Sequence, residues 1–159
     1  MKKILNPYIG HEDDGYNCFA CAPHNPKGLK MEFYEDGDEV VCFWTPDRDY
    51  EGWHNALHGG IQATLIDETA GGVISRKFQT SGMTTALNIK YSKPVATGPE
   101  HKVEVRASVR EVKRTFVFLD VKLMCDGEVC STAEVTFYCF SKQKAVEQFK
   151  FRPHEVEEI

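Results

Sequence analysis

The sequence predicts an α+β fold in which a mostly antiparallel sheet wraps around one long central helix. Three observations support this prediction. Alternating apolar and polar residues mark two strands before residue 46 and four strands after residue 84. Between them lies one helical stretch, residues 59–77, which opens with two glycines and is apolar on almost every side. A single helix beside a run of hairpins is an α+β arrangement.

The length and composition are those of one soluble globular domain. The chain has 159 residues, of which 42% are hydrophobic and 27% charged. No apolar run approaches the ~20 residues that a membrane-spanning helix needs, and the basic N-terminus lacks the apolar core of a signal peptide. A net charge of −5 argues against nucleic acid as the main partner.

Four of the six cysteines lie in strand-like runs, where a free thiol behaves as a small apolar side chain. Without an export signal, a reduced protein in the cytoplasm is the better expectation. We expect no cofactor.

Residues 1–27 have no clear periodicity and are rich in Asn, Pro, Gly, Asp and His, which predicts an irregular arm over the domain. Within this arm, Cys18 and Cys21 form a C-x-x-C pair with His24 nearby. This spacing is found at zinc sites, and His11 is a further candidate ligand. One such pair without a second is a weak signal, so we favour packing of the arm without a metal.

The strand pattern begins at residue 28. Leu29, Met31 and Phe33 alternate with polar residues, which predicts a strand with one buried face. An Asp-Gly-Asp turn follows, and residues 40–45 form the returning strand. Residues 47–57 form a loop whose aromatic and polar side chains are suited to lining a pocket.

The central helix carries one carboxylate among apolar neighbours. Ala63 and Ala70 lie one turn to either side of Asp67, so the three share a face. An ionised acid there is costly unless the protein needs it. At the helix start, Gly60 leaves a backbone N–H uncovered at the positive end of the helix dipole. Amides that can hold an oxyanion, followed two turns later by an acid, are suited to acyl transfer.

The later strands end in a meander, with a hairpin signal at Asp126-Gly127. The chain offers no second helix of comparable quality to cover the far side of the central one. A second copy of the chain is therefore the predicted cover. Residues 141–159 are mixed and end acidic, so we expect a partly ordered tail.

These motifs resemble the hotdog-fold acyl-CoA thioesterases, in the branch similar to phenylacetate-pathway (PaaI-like) enzymes. Residues 58–60 read H-G-G, and an acid follows nine residues after the histidine. In the arm, C-F-A-C at residues 18–21 resembles an N-terminal signature of some members, and residues 88–94 match the strand after the helix. The resemblance spans roughly residues 18–140 and implies a hotdog domain over residues 28–140.

The resemblance implies a role for each matching residue. Asp67 stands where the family places its nucleophile or general base. Gly60 stands where a backbone N–H polarises the thioester carbonyl, and His58 orders that turn. Thr84 or Thr85 falls where several members have a Ser or Thr, contributed by the partner subunit, that orients the water.

The chain departs from the family just before the H-G-G run. Many members have Asn or Gln six residues before the histidine, and this chain has Gly52. Asn55 and His54 are the candidate substitutes. Glu68 faces a different side from Asp67, which predicts a solvated or interface carboxylate. Four basic residues are candidates to meet the phosphates of coenzyme A, because a polyanionic ligand needs cations: Lys90, Lys93, Lys113 and Arg114.

The resemblance thus implies a homodimer, or a dimer of dimers, that hydrolyses the thioester of a small or medium acyl-CoA at sites shared between subunits. The alternative is a non-catalytic protein that binds acyl-CoA or another small ligand on the same fold. Gly52, in place of the usual amide, is the feature that favours the alternative.

Overall fold

The computed structural model describes residues 1–159 as one sheet and two helices. The elements in chain order are β1 Lys2–Ile4, β2 Phe33–Asp36, β3 Glu39–Trp44, α1 Gly59–Val73, β4 Gly82–Tyr91, β5 Val103–Lys113, β6 Phe116–Cys125, β7 Glu128–Cys139, α2 Lys142–Phe149 and β8 Val156–Glu158. A π-helical turn, Ile74–Phe78, extends α1. None of the helices is both long enough and apolar enough to cross a bilayer.

The eight strands form a single antiparallel sheet in the order β4-β7-β6-β5-β3-β2-β1-β8. Its inner face packs on α1 through a core in which Leu65, Ile66, Val105 and Leu119 are fully buried. Alternation along β5, β6 and β7 puts the apolar residues on that face, which is why the sequence predicts these strands well. The predicted α+β architecture, a hotdog fold with one long helix against the sheet, is confirmed.

Both termini contribute to the sheet, which the sequence analysis does not predict. β1 pairs with β2 on one side and with β8 on the other. The stretch expected to be a partly ordered tail instead forms α2 and β8, and Phe149 stacks on Phe140 with ring centroids 4.9 Å apart. β1 and β8 have three residues each, which is too short for a period-two pattern to be recognised.

The first predicted strand begins later than its pattern suggests. Lys30 has a φ of 55°, a left-handed conformation that interrupts an extended chain. Leu29 and Met31 are buried, but their N–H groups donate to carbonyls of the arm, at Phe19 and Ala20, rather than to a strand. The regular pairing of β2 therefore starts only at Phe33.

Ion pairs tie the end of the helical segment to β2. The carboxylate of Glu35 accepts hydrogen bonds from Arg76 Nε at 2.9 Å and from Lys77 Nζ at 2.7 Å. The Glu35 side chain is only 15% exposed. Its burial raises the pKa of Glu35, but the hydrogen bonds from Lys77 and Arg76 outweigh burial and leave that pKa below its usual value.

Replacing Glu35 by Gln is expected to lower the free energy of unfolding by about 2 kcal/mol at pH 7, because the change removes charge-assisted hydrogen bonds. A lowered folded-state pKa gives stability that is complete above the unfolded-state pKa of about 4.3 and is lost as the pH falls through the folded-state value. In urea unfolding, the difference between parent and variant should therefore close at acidic pH. Glu32→Gln is the control, since Glu32 is 62% exposed and lies 3.6 Å from its cation. A difference of the same size at pH 3 would contradict the ion-pair account.

Candidate functional site

The start of α1 is built by His58 and two glycines. The N–H of Gly60 donates to His58 Nδ1 at 2.9 Å, so His58 caps the helix with its side chain. On the other side, the Tyr91 hydroxyl donates to the carbonyl of Gly59 at 2.8 Å. His58 therefore orders this turn. Its imidazole accepts the hydrogen bond of the Gly60 N–H, the group that the resemblance expects to polarise the thioester carbonyl.

Asp67 lies on the half-buried face of α1 and has one close polar partner. Its Oδ1 accepts a hydrogen bond of 2.6 Å from Thr84 Oγ1. Thr84 belongs to β4, which runs back along α1 from Asp67 towards Gly59. Within one chain, Thr84 reaches Asp67 because β4 directly follows the helical segment and packs on it. The resemblance implied a hydroxyl contributed by the partner subunit, and that contribution stays a prediction.

A β-bulge decides between the two threonines. The pairing of β4 with β7 shifts between Thr84 and Ala86, which leaves Thr85 as the extra residue. Thr85 is exposed and its Oγ1 donates to the carbonyl of Thr136 at 3.2 Å, away from Asp67. A strict alternation would have placed Thr85, not Thr84, on the same face as Leu87, and the sequence carries no signal for the bulge.

Asp67 and Thr84 lie in the wall of a cavity of about 910 Å³. This volume is near the upper end of the range for small-molecule sites. Gly71 and Gly72 line the same wall, and a Cβ on Gly72 would lie 3.2 Å from Val40 Cγ1. Glycines inside a helix weaken it, but this pair allows close packing and leaves open space beside Asp67.

Glu68 is expected from the sequence to be a solvated or interface carboxylate, and the structure places it half-buried at the cavity wall rather than out in solvent. It lines the cavity, and Cys18 Sγ lies 3.6 Å from its Oε1. Burial, followed by the nearby Cys18 thiol, raises the pKa of Glu68 to about 8. No sequence pattern signals this environment, because the arm brings Cys18 from 50 residues away along an irregular path.

The C-x-x-C pair of the arm is compact. The N–H of Cys21 donates to Cys18 Sγ at 3.4 Å, and the Tyr16 hydroxyl lies 3.2 Å from Cys21 Sγ. The side-chain hydrogen bond from Cys21 is the main cause that lowers the pKa of Cys18 to about 5, and the same bond raises the pKa of Cys21. His24 does not join this pair, because its Nε2 lies 2.7 Å from the carbonyl of Tyr16.

Comparison with known proteins decides the family. Residues 54–132, which include the helix start, Asp67 and Thr84, match the family model described as the thioesterase superfamily. The chain belongs to the thioesterase superfamily. Among curated proteins, it is 25% identical over 113 residues to an uncharacterised protein of Schizosaccharomyces pombe. That match covers 69% of this chain and 64% of the relative, which is less than two thirds of its length.

Solved structures of similar fold include thioesterases. A thioesterase from Haemophilus influenzae is similar with a TM-score of 0.63 and 19% identity, over 71% of this chain and 80% of that one. A hypothetical thioesterase protein from Streptococcus pneumoniae, solved with coenzyme A, is similar with a TM-score of 0.64 and 21% identity. That match covers 70% of this chain and 87% of the other. The PaaI-like branch stays a prediction.

Within one chain, the loop before α1 does not bring its polar residues to the start of that helix. His54 and Asn55 are exposed and line neither the large cavity nor the small one next to His58. Asn55 has a φ of 58°, and its carbonyl accepts from Thr97 N–H at 3.3 Å. Their part in binding stays a prediction.

The four candidate cations lie in two places. Lys90 and Lys93 are near the end of β4 that meets the helix start, where Lys93 pairs with Glu128 at 2.9 Å. Lys113 ends β5 and Arg114 begins the turn to β6, and the strand register aligns this turn with the opposite end of β4. Ten residues of strand separate the two pairs by about 30 Å, so one chain does not gather them.

Proposed function

We propose that this superfamily member is an acyl-CoA thioesterase in which Asp67 performs the chemical step. The observation that carries the proposal is the 2.6 Å hydrogen bond from Thr84 to Asp67 in the cavity wall. The bond fixes one carboxylate oxygen and leaves the other free to take a proton from water or to attack the thioester carbon. Water then supplies the new acyl oxygen, and coenzyme A leaves as the thiol. The neighbouring cavity has room for a small or medium acyl group.

A second copy of the chain completes this site. Gly60 and Asp67 are seven residues apart on one helix, which is about 10 Å along its axis. A reacting thioester needs its oxygen and its carbon each within about 3 Å of their partners. The Gly60 amide and Asp67 of one chain are therefore too far apart to serve the same thioester, and the amide comes from the helix start of a partner.

The exposed edge of β4 is the proposed contact between copies. β4 pairs only with β7, so the hydrogen-bonding groups on its other edge are free for another strand. Three large apolar side chains are exposed along it: Met83, Leu87 and Tyr91. An antiparallel pair of β4 strands also places the Lys113 end of one copy beside the Lys93 end of the other. The resulting homodimer gathers cations for the phosphates of coenzyme A, and two such dimers give the larger assembly.

A non-catalytic binding protein is the second candidate function, and two observations favour it. The Gly60 N–H is already bound by His58, and Gly52 offers no amide side chain. A Cβ on Gly52 would lie 3.2 Å from His58 Cα, so that position is closely packed. A panel of aliphatic and aromatic acyl-CoAs separates the two functions. Release of free thiol supports the enzyme, whereas tight binding without release supports the binding protein.

The two threonines of β4 provide a matched pair of variants for the same assay. Thr84→Ala is expected to reduce kcat by about 10- to 100-fold, because it removes the donor that orients Asp67 next to the reacting water. Thr85→Ala should change kcat less than about twofold, since the bulge turns Thr85 away from Asp67. Both rates follow from thiol release on the best substrate of the panel. A larger loss of kcat in Thr85→Ala than in Thr84→Ala would contradict the role of Thr84 as the donor that orients Asp67.

We also propose a cytoplasmic location. All six cysteines are free, including the adjacent Cys18 and Cys21. A reducing compartment maintains that state.

A further inference from the structure

A cluster of three potential metal ligands lies where the arm meets α1. Cys18 and Cys21 come from the arm and Glu68 from the helix, and their ligand atoms all lie within 4.8 Å of one another. Cys21 and Glu68 also line the large cavity. The proposed thioester chemistry uses none of the three, so the cluster requires its own explanation.

The spacing of these atoms is that of ligands around one tetrahedral ion. Zinc bonds of about 2.3 Å to sulfur and 2.0–2.2 Å to carboxylate oxygen, at a tetrahedral angle, separate the two ligand atoms by about 3.5 Å. Cys18 Sγ and Glu68 Oε1 are 3.6 Å apart. The N–H of Cys21 points at Cys18 Sγ from 3.4 Å, which stabilises a thiolate. Two thiolates with one carboxylate form a donor set that suits zinc.

The cluster also lacks a cation of its own. No Lys, Arg or His lies within 4.0 Å of the Glu68 carboxylate, although the residue is half-buried. The other group of this kind, around His101, differs on this point. There His101 Nδ1 contacts Asp126 Oδ2 at 2.6 Å and supplies the counter-charge. Ligation by all three side chains requires their ionised forms, and a divalent ion supplies the counter-charge that the surrounding protein does not.

We propose that Cys18, Cys21 and Glu68 bind one zinc ion, which fastens the arm to α1 at the cavity wall. The fourth position faces the cavity, because Cys21 and Glu68 line it, and water occupies that position. The ion holds Glu68, the residue next to Asp67, and so fixes the wall that carries the proposed acid. Metal content and spectra test this site without reference to thioester hydrolysis, so its failure and that of the proposed function are distinguishable.

The test uses the full chain, purified without chelator and without a metal-affinity tag. Elemental analysis should find about one zinc per chain. Replacing zinc by Co²⁺ should give the visible bands of a tetrahedral site and a thiolate-to-metal band in the near ultraviolet. Cys18→Ser, Cys21→Ser and Glu68→Gln should each weaken metal binding at least about 100-fold. Cys139→Ser, a half-buried cysteine outside the cluster, should bind as the parent does.

A second measurement avoids any variant that fails to fold. In the parent protein, a chelator should increase by two the number of thiols that react quickly with a thiol reagent, and added zinc should protect them again. Less than about 0.1 zinc per chain, with no cobalt bands after loading, would overturn the proposal. So would a disulfide between Cys18 and Cys21 in the protein as purified, or full metal binding by both Cys18→Ser and Glu68→Gln.

Discussion

Replacing Asp67 by Asn is expected to reduce kcat/KM for acyl-CoA hydrolysis by at least about 1000-fold. Asparagine keeps the shape of the side chain and can still accept the hydrogen bond from Thr84. It can neither take a proton from water nor form an acyl intermediate as a carboxylate does. The loss therefore appears in kcat, while binding of the coenzyme A portion, which needs no acid, is retained.

The measurement is thiol release by the variant under saturating and limiting substrate. Asp120→Asn is the matched control, since Asp120 is on β6, is 56% exposed and pairs only loosely with Arg110 at 3.8 Å. Size-exclusion chromatography should give both variants the elution volume of the parent. Unchanged turnover in Asp67→Asn would refute the assignment, and the remaining acids of the cavity wall, Glu32 and Glu68, would then be the candidates.

Replacing Gly60 by Val is expected to reduce kcat by about 100- to 1000-fold, the usual loss when one oxyanion donor is removed. A Cβ at this position would lie 3.0 Å from His58 Nδ1 and 3.1 Å from His58 Cε1, so the imidazole must move. The branched side chain would then cover the N–H that is proposed to hold the thioester oxygen. The substitution leaves the Asp67 carboxylate of the same chain unchanged.

Gly59→Ala is the matched control for this substitution. A Cβ on Gly59 would lie 3.6 Å from the Tyr91 ring, which is an ordinary contact. Its turnover should fall less than about tenfold. If Gly60→Val hydrolyses acyl-CoA as the parent does, the helix start takes no part in the reaction, and the account of the oxyanion site is wrong.

Much of the fold follows from the sequence because its long elements repeat one signal many times. β5, β6 and β7 each have ten or more residues, so the alternation that buries Val105, Leu119 and Val135 is unmistakable. The central helix is equally clear, from its glycines to its basic end. The three-residue strands at the termini are too short to repeat the alternation of apolar and polar residues. Their pairing depends on contacts between residues distant in sequence.

The site was predictable only in part, for a related reason. Asp67 and the glycines are local features of one helix, and sequence patterns record local features. The setting of Glu68 depends on Cys18, which reaches it through an arm without periodicity. The choice of Thr84 over Thr85 depends on a single bulged residue, and one inserted residue leaves no mark on an alternating pattern.

The most direct test of the central claim, a site shared between two chains, uses the two inactive variants together. Asp67→Asn and Gly60→Val chains carrying different tags are co-expressed, and the hybrid dimer is isolated by both tags. In the hybrid, one site has an intact Asp67 facing an intact helix start, and the other site has both defects. The account predicts about half of the parent kcat per dimer. A hybrid dimer as inactive as the Asp67→Asn and Gly60→Val dimers would contradict the shared site. A site built within one chain gives that result, because each chain of the hybrid carries one defect.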